Sequence, residues 1–479
     1  MKTPFLGPAY TAQSKNLADS QCINLYPEVA ENKQGREVGA FFPCPGRTLL
    51  ATCGSGPVRG ACVMGGNLYV VSGFNIYQVT PLYVVALAGT IGTGTGPVSM
   101  IANATQLMIA DGVSGYLVMV TGGLIIASTI ALPFAGPVML AYQDGFGLAY
   151  QANSNTWWQS NLLDLSTWNA LNFQSTISTP ANLVALVDVD RYVWLLAADH
   201  AEVWINAGTV GFAFAILNGA YISQGCAAPF SAVRCGETLL WLSQSTQGQG
   251  MVMQAKSING ADRVSTHALE QEFAGYSTIA DAIGFCYQEN GHVFYVLTFP
   301  TANRSWCLDL TATAQMGIPM WHRRAAFING MLNRLWDNCY VAFNGQNIVG
   351  DYLTGNLYSL DLANETDNGQ PRKWVRSWRA MQQSTIAPTR FSALQIEMET
   401  GAGVASGFSP NLVLRYSDDG AHTWSAEMFR AAGPEGATSQ RVKFNRLGST
   451  RRASGLDRIF ELSSTDAFKV ALLGAELVE

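Results

Sequence analysis

Short apolar runs recur between residues 56 and 361, and turn residues rather than long polar helical faces separate them. The first unit opens at Gly56-Pro57-Val58 and runs through Gly60-Ala61-Cys62-Val63. It turns at Gly65-Gly66-Asn67 into Leu68-Tyr69-Val70-Val71, and again at Gly73-Phe74-Asn75 into Ile76-Tyr77-Gln78-Val79. The second opens at Gly96-Pro97-Val98 and the third at Gly136-Pro137-Val138, so three like openings follow one another at equal spacing. Later units drift but keep the grammar, opening at Leu183, Ser231, Asp281 and Asn338. Each reads as three or four antiparallel strands. Pairs such as Asp144-Gly145 and Asn344-Gly345 supply the positive φ that tight hairpins require.

The spacing of these openings matches the size of a propeller blade. Radial packing of such units leaves only short edges. The fold predicted is all-β: a six- or seven-bladed β-propeller over 57–363, with a β-sandwich pair or a β-solenoid as the plainer alternatives. Residues 1–56 read as an N-terminal arm or closing segment, 364–379 as a polar linker, and 380–479 as a small C-terminal β-module. In the last region Arg390–Met398, Leu412–Ser417, Arg458–Leu462 and Lys469–Leu473 alternate or cluster as strands do. Helical periodicity is weak throughout, so helix should be scarce.

Composition sharpens this picture. Of 479 residues 48% are hydrophobic and 13% charged, which excludes a disordered chain. So little charge suits a large β-domain dressed in uncharged polar residues, and equally a subunit that covers its outside with copies of itself. No formal charge occurs between Arg59 and Asp111, and after Arg59 only Asp111 and Asp144 precede Asp164. The segment from Arg372 onward is net +3 and the remainder net −9. A tight nucleic-acid binder concentrates basic residues, so specific DNA binding is disfavoured, whereas DNA passing through a neutral or acidic channel fits. Nine cysteines without a CxxC pair argue against a disulfide framework or a zinc ribbon and for buried thiols in a reducing compartment. The N-terminus shows no secretory signal. The uncharged stretch Tyr116–Tyr142 is broken by Gly122-Gly123 and Gly136-Pro137 into strand-length pieces, so no membrane span is expected.

Candidate chemistry is sparse. There is no HExxH, no GxSxG elbow and no Walker loop. Gly92-Thr93-Gly94-Thr95-Gly96-Pro97 is glycine-rich, but no helix follows to complete a phosphate cradle, so it reads as a link between blades. His200, His267, His292, His322 and His422 have no second ligand at metal spacing. Asp188 and Asp190 would share one side of a strand, as an acid/base pair or, more simply, as a turn or subunit contact. Trp157-Trp158 could stack a ligand but more simply packs blades together. No catalytic residue, metal or cofactor is assigned.

One motif is specific. Ser417-Asp418-Asp419-Gly420-Ala421-His422-Thr423-Trp424 resembles the Asp-box hairpin, Ser-x-Asp-x-Gly-x-Thr-Trp, found in sialidases and other β-proteins, with Ala421 where the pattern wants glycine. Ser417, Asp419, Gly420, Thr423 and Trp424 are its structural residues, the aspartate capping a turn and the indole packing beneath. A single box without an arginine cluster leaves a glycan-binding or glycan-cleaving propeller as the alternative function.

The chain ends carry a second resemblance. Met1-Lys2-Thr3-Pro4-Phe5-Leu6-Gly7-Pro8-Ala9-Tyr10, then Asn16–Glu28, Phe42-Pro43-Cys44-Pro45-Gly46 and Gly56–Gly60, resemble the opening of packaged-DNA stabilisation proteins, the tail accessory hubs or nozzles of short-tailed bacteriophages. Arg446-Leu447-Gly448-Ser449 through Gly474-Ala475-Glu476-Leu477 resembles that family's end. The resemblance implies a structural virion protein rather than an enzyme, assembled in the host cytoplasm and resident in the virion tail. It implies a homo-oligomeric sixfold ring below the portal and its adaptor. Such a ring extends the DNA channel, retains the packaged genome without sequence-specific binding, and anchors the tail needle and fibres or spikes.

Overall fold

Local turn chemistry builds the repeat. The two-residue turns Asp144-Gly145 and Asn290-Gly291 take positive φ at both positions, 48° and 89° in the first and 48° and 79° in the second. That geometry matches the right-handed twist of the strands on either side. The computed structural model describes residues 3–15, 17–30, 38–245, 247–380, 389–450 and 458–478. Met1, Lys2 and Asn16 of the N-terminal motif, and 451–457 within the C-terminal one, lie outside the described residues.

Six or seven blades is the sequence expectation; the structure has seven. Blades 1 to 6 begin at the innermost strands Val58–Met64, Ser99–Ala102, Pro137–Gln143, Leu183–Val189, Val233–Cys235 and Ile283–Glu289, each heading four consecutive antiparallel strands. Blade 7 takes Asp337–Phe343, Gln346–Asp351 and Asn356–Asp361 from one end of the chain and Gly46–Thr52 from the other. The innermost strands touch in a closed cycle, blade 7 meeting blade 1. Second strands such as Asn67–Ser72 and Thr238–Gln244 are buried on both faces, which is why they read as unbroken apolar runs.

Helix is confined, among the described residues, to His267–Ala274, Leu310–Met316 and a short 3-10 turn. Thr266 and Asp309 cap the two α-helices by accepting from Leu269 and Ala312 backbone N–H groups.

The C-terminal module is a sandwich that the N-terminal arm helps to build. One sheet orders Cys22–Ile23, Trp374–Arg379, Ile459–Ser464, Asn411–Ser417 and Met428–Ala431, and Ile23 bridges it to Arg323 of blade 6. The facing sheet orders Leu25–Val29, Gly39–Pro43, Leu472–Val478, Arg390–Met398 and Val442–Ser449. Thus 1–56 is divided between sandwich and closing strand. The expected linker 364–379 contains Trp374–Arg379, a central strand whose alternate residues Trp374 and Trp378 are buried in the core. One apolar core holds Phe5, Trp378, Phe460 and Leu394 of the sandwich together with Leu297 of blade 6 and Leu240 of blade 5. The shared sheet and shared core join the two modules as one body.

Arg47 locks the ring. Its backbone accepts from Asn368 N–H and donates to Thr366 O. Its guanidinium lies 3.5 Å from Asp337 of the innermost strand of blade 7 and 3.6 Å from Asp367, over the rings of Tyr358 and Trp336 at 4.7 and 5.2 Å. Burial pushes Asp337 up to about 6, against the pull of Arg47 and Arg324.

Candidate assembly surface

The Asp-box sits where Asn411–Ser417 leaves its sheet. Asp419 accepts from the Thr423 hydroxyl at 2.6 Å, Thr423 N–H at 2.8 Å, His422 N–H at 3.1 Å and the Ser417 hydroxyl at 2.7 Å. These bonds, those from Thr423 foremost, hold its carboxyl far below the usual range. Gly420 has φ 71° and Ala421 φ 64°, so the departure from the motif places a methyl group in left-handed backbone. Trp424 is half-buried with the Arg415 guanidinium 4.6 Å from its ring. The five motif residues form one turn, and the polar side chains of Ser417, Asp419 and Thr423 are engaged within it. The sequence reading missed Asp418 and Arg458. Arg458 is buried, makes a two-pronged bond to Asp418 at 2.7 and 2.8 Å, and lies 3.9 Å from the centre of the Tyr416 ring.

The remaining sequence candidates disperse. The Gly92–Pro97 loop turns its carbonyls inward around buried Arg59. The guanidinium donates to Gly96 O at 2.6 Å, Gly73 O at 3.0 Å, Thr95 O at 2.8 Å, the Thr93 hydroxyl at 2.9 Å and Thr93 O. This is a cation cage, opposite in polarity to a phosphate cradle. Asp188 lies within the strand Leu183–Val189 but Asp190 stands in the following turn at φ 56°, bonded to Arg234 of blade 5 at 2.8 Å, so the two do not share a strand face. Trp157 packs edge-on against Trp204 of blade 4 at 5.3 Å, and Trp158 stacks on Phe134 at 4.2 Å. His292 bonds the helix-capping Asp309 at 2.7 Å. His322 is buried, and burial, Arg324 and His292 drive its basicity down. His200 lies 2.6 Å from Asp199. His267 bonds Arg263, while the backbone of His422 serves the Asp-box. All nine cysteines are free thiols. Burial pushes Cys22, Cys53 and Cys339 up to about 12, so they stay protonated as small apolar groups. Among the described residues no cluster of three metal-ligating side chains forms, and no helix is long and apolar enough to cross a membrane.

What the structure does gather is an apolar rim. The outermost strands of blades 1 and 2 are Val85–Thr90 and Leu124–Ile130. They pack side by side so closely that a Cβ on Gly89 would stand 2.4 Å from that of Ala127. Leu87 is 63% and Leu124 65% exposed on these strands, with Leu82 at the adjoining tip 86% exposed. Leu171 and Phe173 are likewise exposed on the outermost strand of blade 3, Asp164–Ser175. Each of these strands ends its sheet and has a free hydrogen-bonding edge. Monomeric β-proteins protect such edges with charge or proline. Here the two strands of blades 1 and 2 carry neither, and contiguous exposed apolar surface marks an interaction site.

Comparison with known families agrees with both halves of the architecture. The family model described as bacteriophage P22 Gp10, beta-propeller (Phage_stabilise) matches residues 1–365. That described as bacteriophage P22 Gp10, beta-sandwich matches residues 373–477. No curated protein sequence matches the chain. Among solved structures, the Pan2 WD40 domain of Neurospora crassa is similar at 10% identity and TM-score 0.42, over 66% of this chain and 94% of that one. The N-terminal domain of Nup159 is similar at 9% identity and TM-score 0.40, over 72% and 99% respectively.

Proposed function

Because the chain belongs to the bacteriophage P22 Gp10 family of phage stabilisation proteins, we propose that it serves as the tail hub that closes the filled head. The observation that carries this reading is the match of both family models, in order, to the two modules of one body. As a family member it is a structural protein of the virion tail, made in the host cytoplasm. In the proposed assembly copies of the chain form a sixfold ring beneath the portal and its adaptor. The ring extends the DNA channel and holds the tail needle and the fibres or spikes.

The apolar rim of blades 1 and 2 supports subunit contacts. Burying its charge-free strands in blades 1 and 2 removes apolar area from water without stranding a charge. The acidic balance of the chain ahead of Arg372 supports a conduit that lets DNA slide rather than grip it. Cryo-electron microscopy of virions, with mass measurement of the purified chain, tests the proposal. Density for the propeller–sandwich in a ring at the tail vertex is expected. Its absence from the tail, or a location in the capsid shell, would overturn it.

A further inference from the structure

Blades 5 and 6 each bring a cysteine to the boundary between them. Their innermost strands, Val233–Cys235 and Ile283–Glu289, both head their sheets and lie next to one another around the axis. A Cβ on Gly284 would stand 3.1 Å from Val233 Cγ2 and 3.1 Å from Ser231 O, so the two backbones come close at this level. Cys286 follows Gly284 by two positions, and Cys235 follows Val233 by two. Strand side chains alternate between faces. Cys286 therefore points where a Cβ on Gly284 would, Cys235 points as Val233 does, and the two stand at one level.

Their orientation is set from both sides. Cys286 lies opposite Tyr295 in the register of blade 6, and residues directly opposite in an antiparallel pair share a face. The Tyr295 hydroxyl donates to Ser231 O at 2.8 Å, just ahead of the innermost strand of blade 5, so that face looks at blade 5. Val233 lies opposite Leu240, which shares a core with Tyr295 and Leu297 of blade 6. Cys235 is buried in the same core. Burial, and after it the neighbouring Cys286 thiol, push the Cys235 thiol well above its ordinary range. Cys286 is half-buried and lines a cavity of about 390 Å³ on the propeller axis. A small reagent entering there reaches Cys286 before Cys235.

We propose that Cys235 and Cys286 form a disulfide between blades 5 and 6 once the virion leaves the reducing cytoplasm, with a small-molecule disulfide as the oxidant. The Cys286 thiolate attacks one sulfur of the reagent, giving a mixed disulfide and releasing one thiolate. Cys235 then loses its proton to solvent and its thiolate attacks the Cys286 sulfur. The bond between the blades forms and the second reagent thiolate leaves. Two cysteine thiols are oxidised and one reagent disulfide is reduced to two thiols. The high pKa of the buried thiol slows the second attack, and the fixed position of its target offsets that. In the cytoplasm both remain thiols, so folding and assembly proceed without a covalent constraint. Outside, the bond ties strands of two separate sheets and closes the loop of chain between them, which stabilises the propeller against opening at that boundary.

The test incubates the purified full chain with oxidised glutathione under native conditions, alkylates the remaining thiols, and maps peptides by mass spectrometry without reductant. A linked pair of peptides carrying Cys235 and Cys286 is expected, with loss of two of the nine free thiols. Cys286→Ser should abolish the link. Cys235→Ala, which keeps a small apolar group in the core, should stop at a mixed disulfide on Cys286 and gain one glutathione in mass. Oxidation should raise the urea midpoint of the parent by roughly 0.5 M or more, dithiothreitol should reverse the shift, and Cys286→Ser should show none. Virions held in air should yield the same linked peptides. The proposal is overturned if the linked peptides are absent from the oxidised native chain or from such virions, if the link joins other cysteines, or if oxidation leaves the urea midpoint of the parent unchanged.

Discussion

Replacing Arg47 by methionine removes the cation that ties the closing strand to blade 7 while keeping most of its apolar stem. The chief consequence falls on Asp337, which is 1% exposed and already raised to about 6 by burial. Without the guanidinium at 3.5 Å only the pull of Arg324 remains against burial, and the carboxyl is expected to stay protonated in the folded state through the neutral range. A folded pKa raised above the unfolded value of 3.8 makes this group favour the fold most below that value, and the advantage is lost as pH rises through the folded pKa. At about pH 7.5 the parent ionises Asp337 and the variant does not. The gap between about 7.5 and a pKa of about 6, at about 1.4 kcal/mol per unit, gives an extra destabilisation of about 2 kcal/mol. At about pH 5.5 both proteins hold Asp337 largely protonated, so this part of the difference vanishes. The loss of the guanidinium over Tyr358 and Trp336 adds about 1 kcal/mol at either pH. Urea unfolding of both proteins at the two pH values measures this. The expected loss is about 3 kcal/mol near pH 7.5 and about 1 kcal/mol near pH 5.5. A loss that does not depend on pH would refute the role given to Asp337. Adding Asp337→Leu to the variant should recover most of the neutral-pH deficit, because an apolar pair avoids the stranded charge.

Three further outcomes follow from other sites. Leu87→Asp or Leu124→Asp should move the unfolding free energy by no more than about 0.5 kcal/mol, since both side chains are mostly exposed, yet weaken ring formation in light-scattering measurements on the purified chain; intact rings from both variants would remove the rim from the subunit interface. Ala421→Gly should stabilise the sandwich. The left-handed backbone costs alanine about 1–2 kcal/mol and the buried methyl returns about 0.8 kcal/mol, so a gain of about 0.5 kcal/mol is expected in urea unfolding and a loss would contradict the turn geometry. Arg59→Met strands the carbonyls of Gly73, Thr93, Thr95 and Gly96 and should cost about 3–5 kcal/mol; a thermal-unfolding shift worth less than about 1 kcal/mol would show that solvent replaces it.

The Asp-box shows how far a local motif carries. Its spacing identifies the turn, and the carboxyl of Asp419 receives the bonds the pattern calls for. The partner that fastens the same loop to the body, Arg458 on Asp418, lies 40 positions away and has no spacing signature. The glycine-rich Gly92–Pro97 loop is the converse case. Its composition is compatible with binding an anion, and only the insertion of Arg59, from the preceding blade, turns its carbonyls to a cation.

The strand–turn–strand units were legible because a hairpin is a local object: its alternation, its Asp-Gly and Asn-Gly turns and its length lie within one stretch of sequence. Seven such units, the scarcity of helix, the uncharged run from Arg59 to Asp111 and the family likeness of the two chain ends were all present in the order of residues. Closure was not. Leu360 pairs with Arg47 and Val375 with Ile23, partners drawn from opposite parts of the chain, and no local pattern names a strand's distant neighbour. For the same reason the N-terminal arm, which reads as loop, becomes two strands of one sandwich sheet and one of the other, and part of the expected linker becomes a central strand. The tertiary structure alone decided that the outermost strands of blades 1 and 2 lie side by side with their leucines exposed. Proximity of that kind arises from packing whole blades around an axis, where residues far apart in the chain become neighbours.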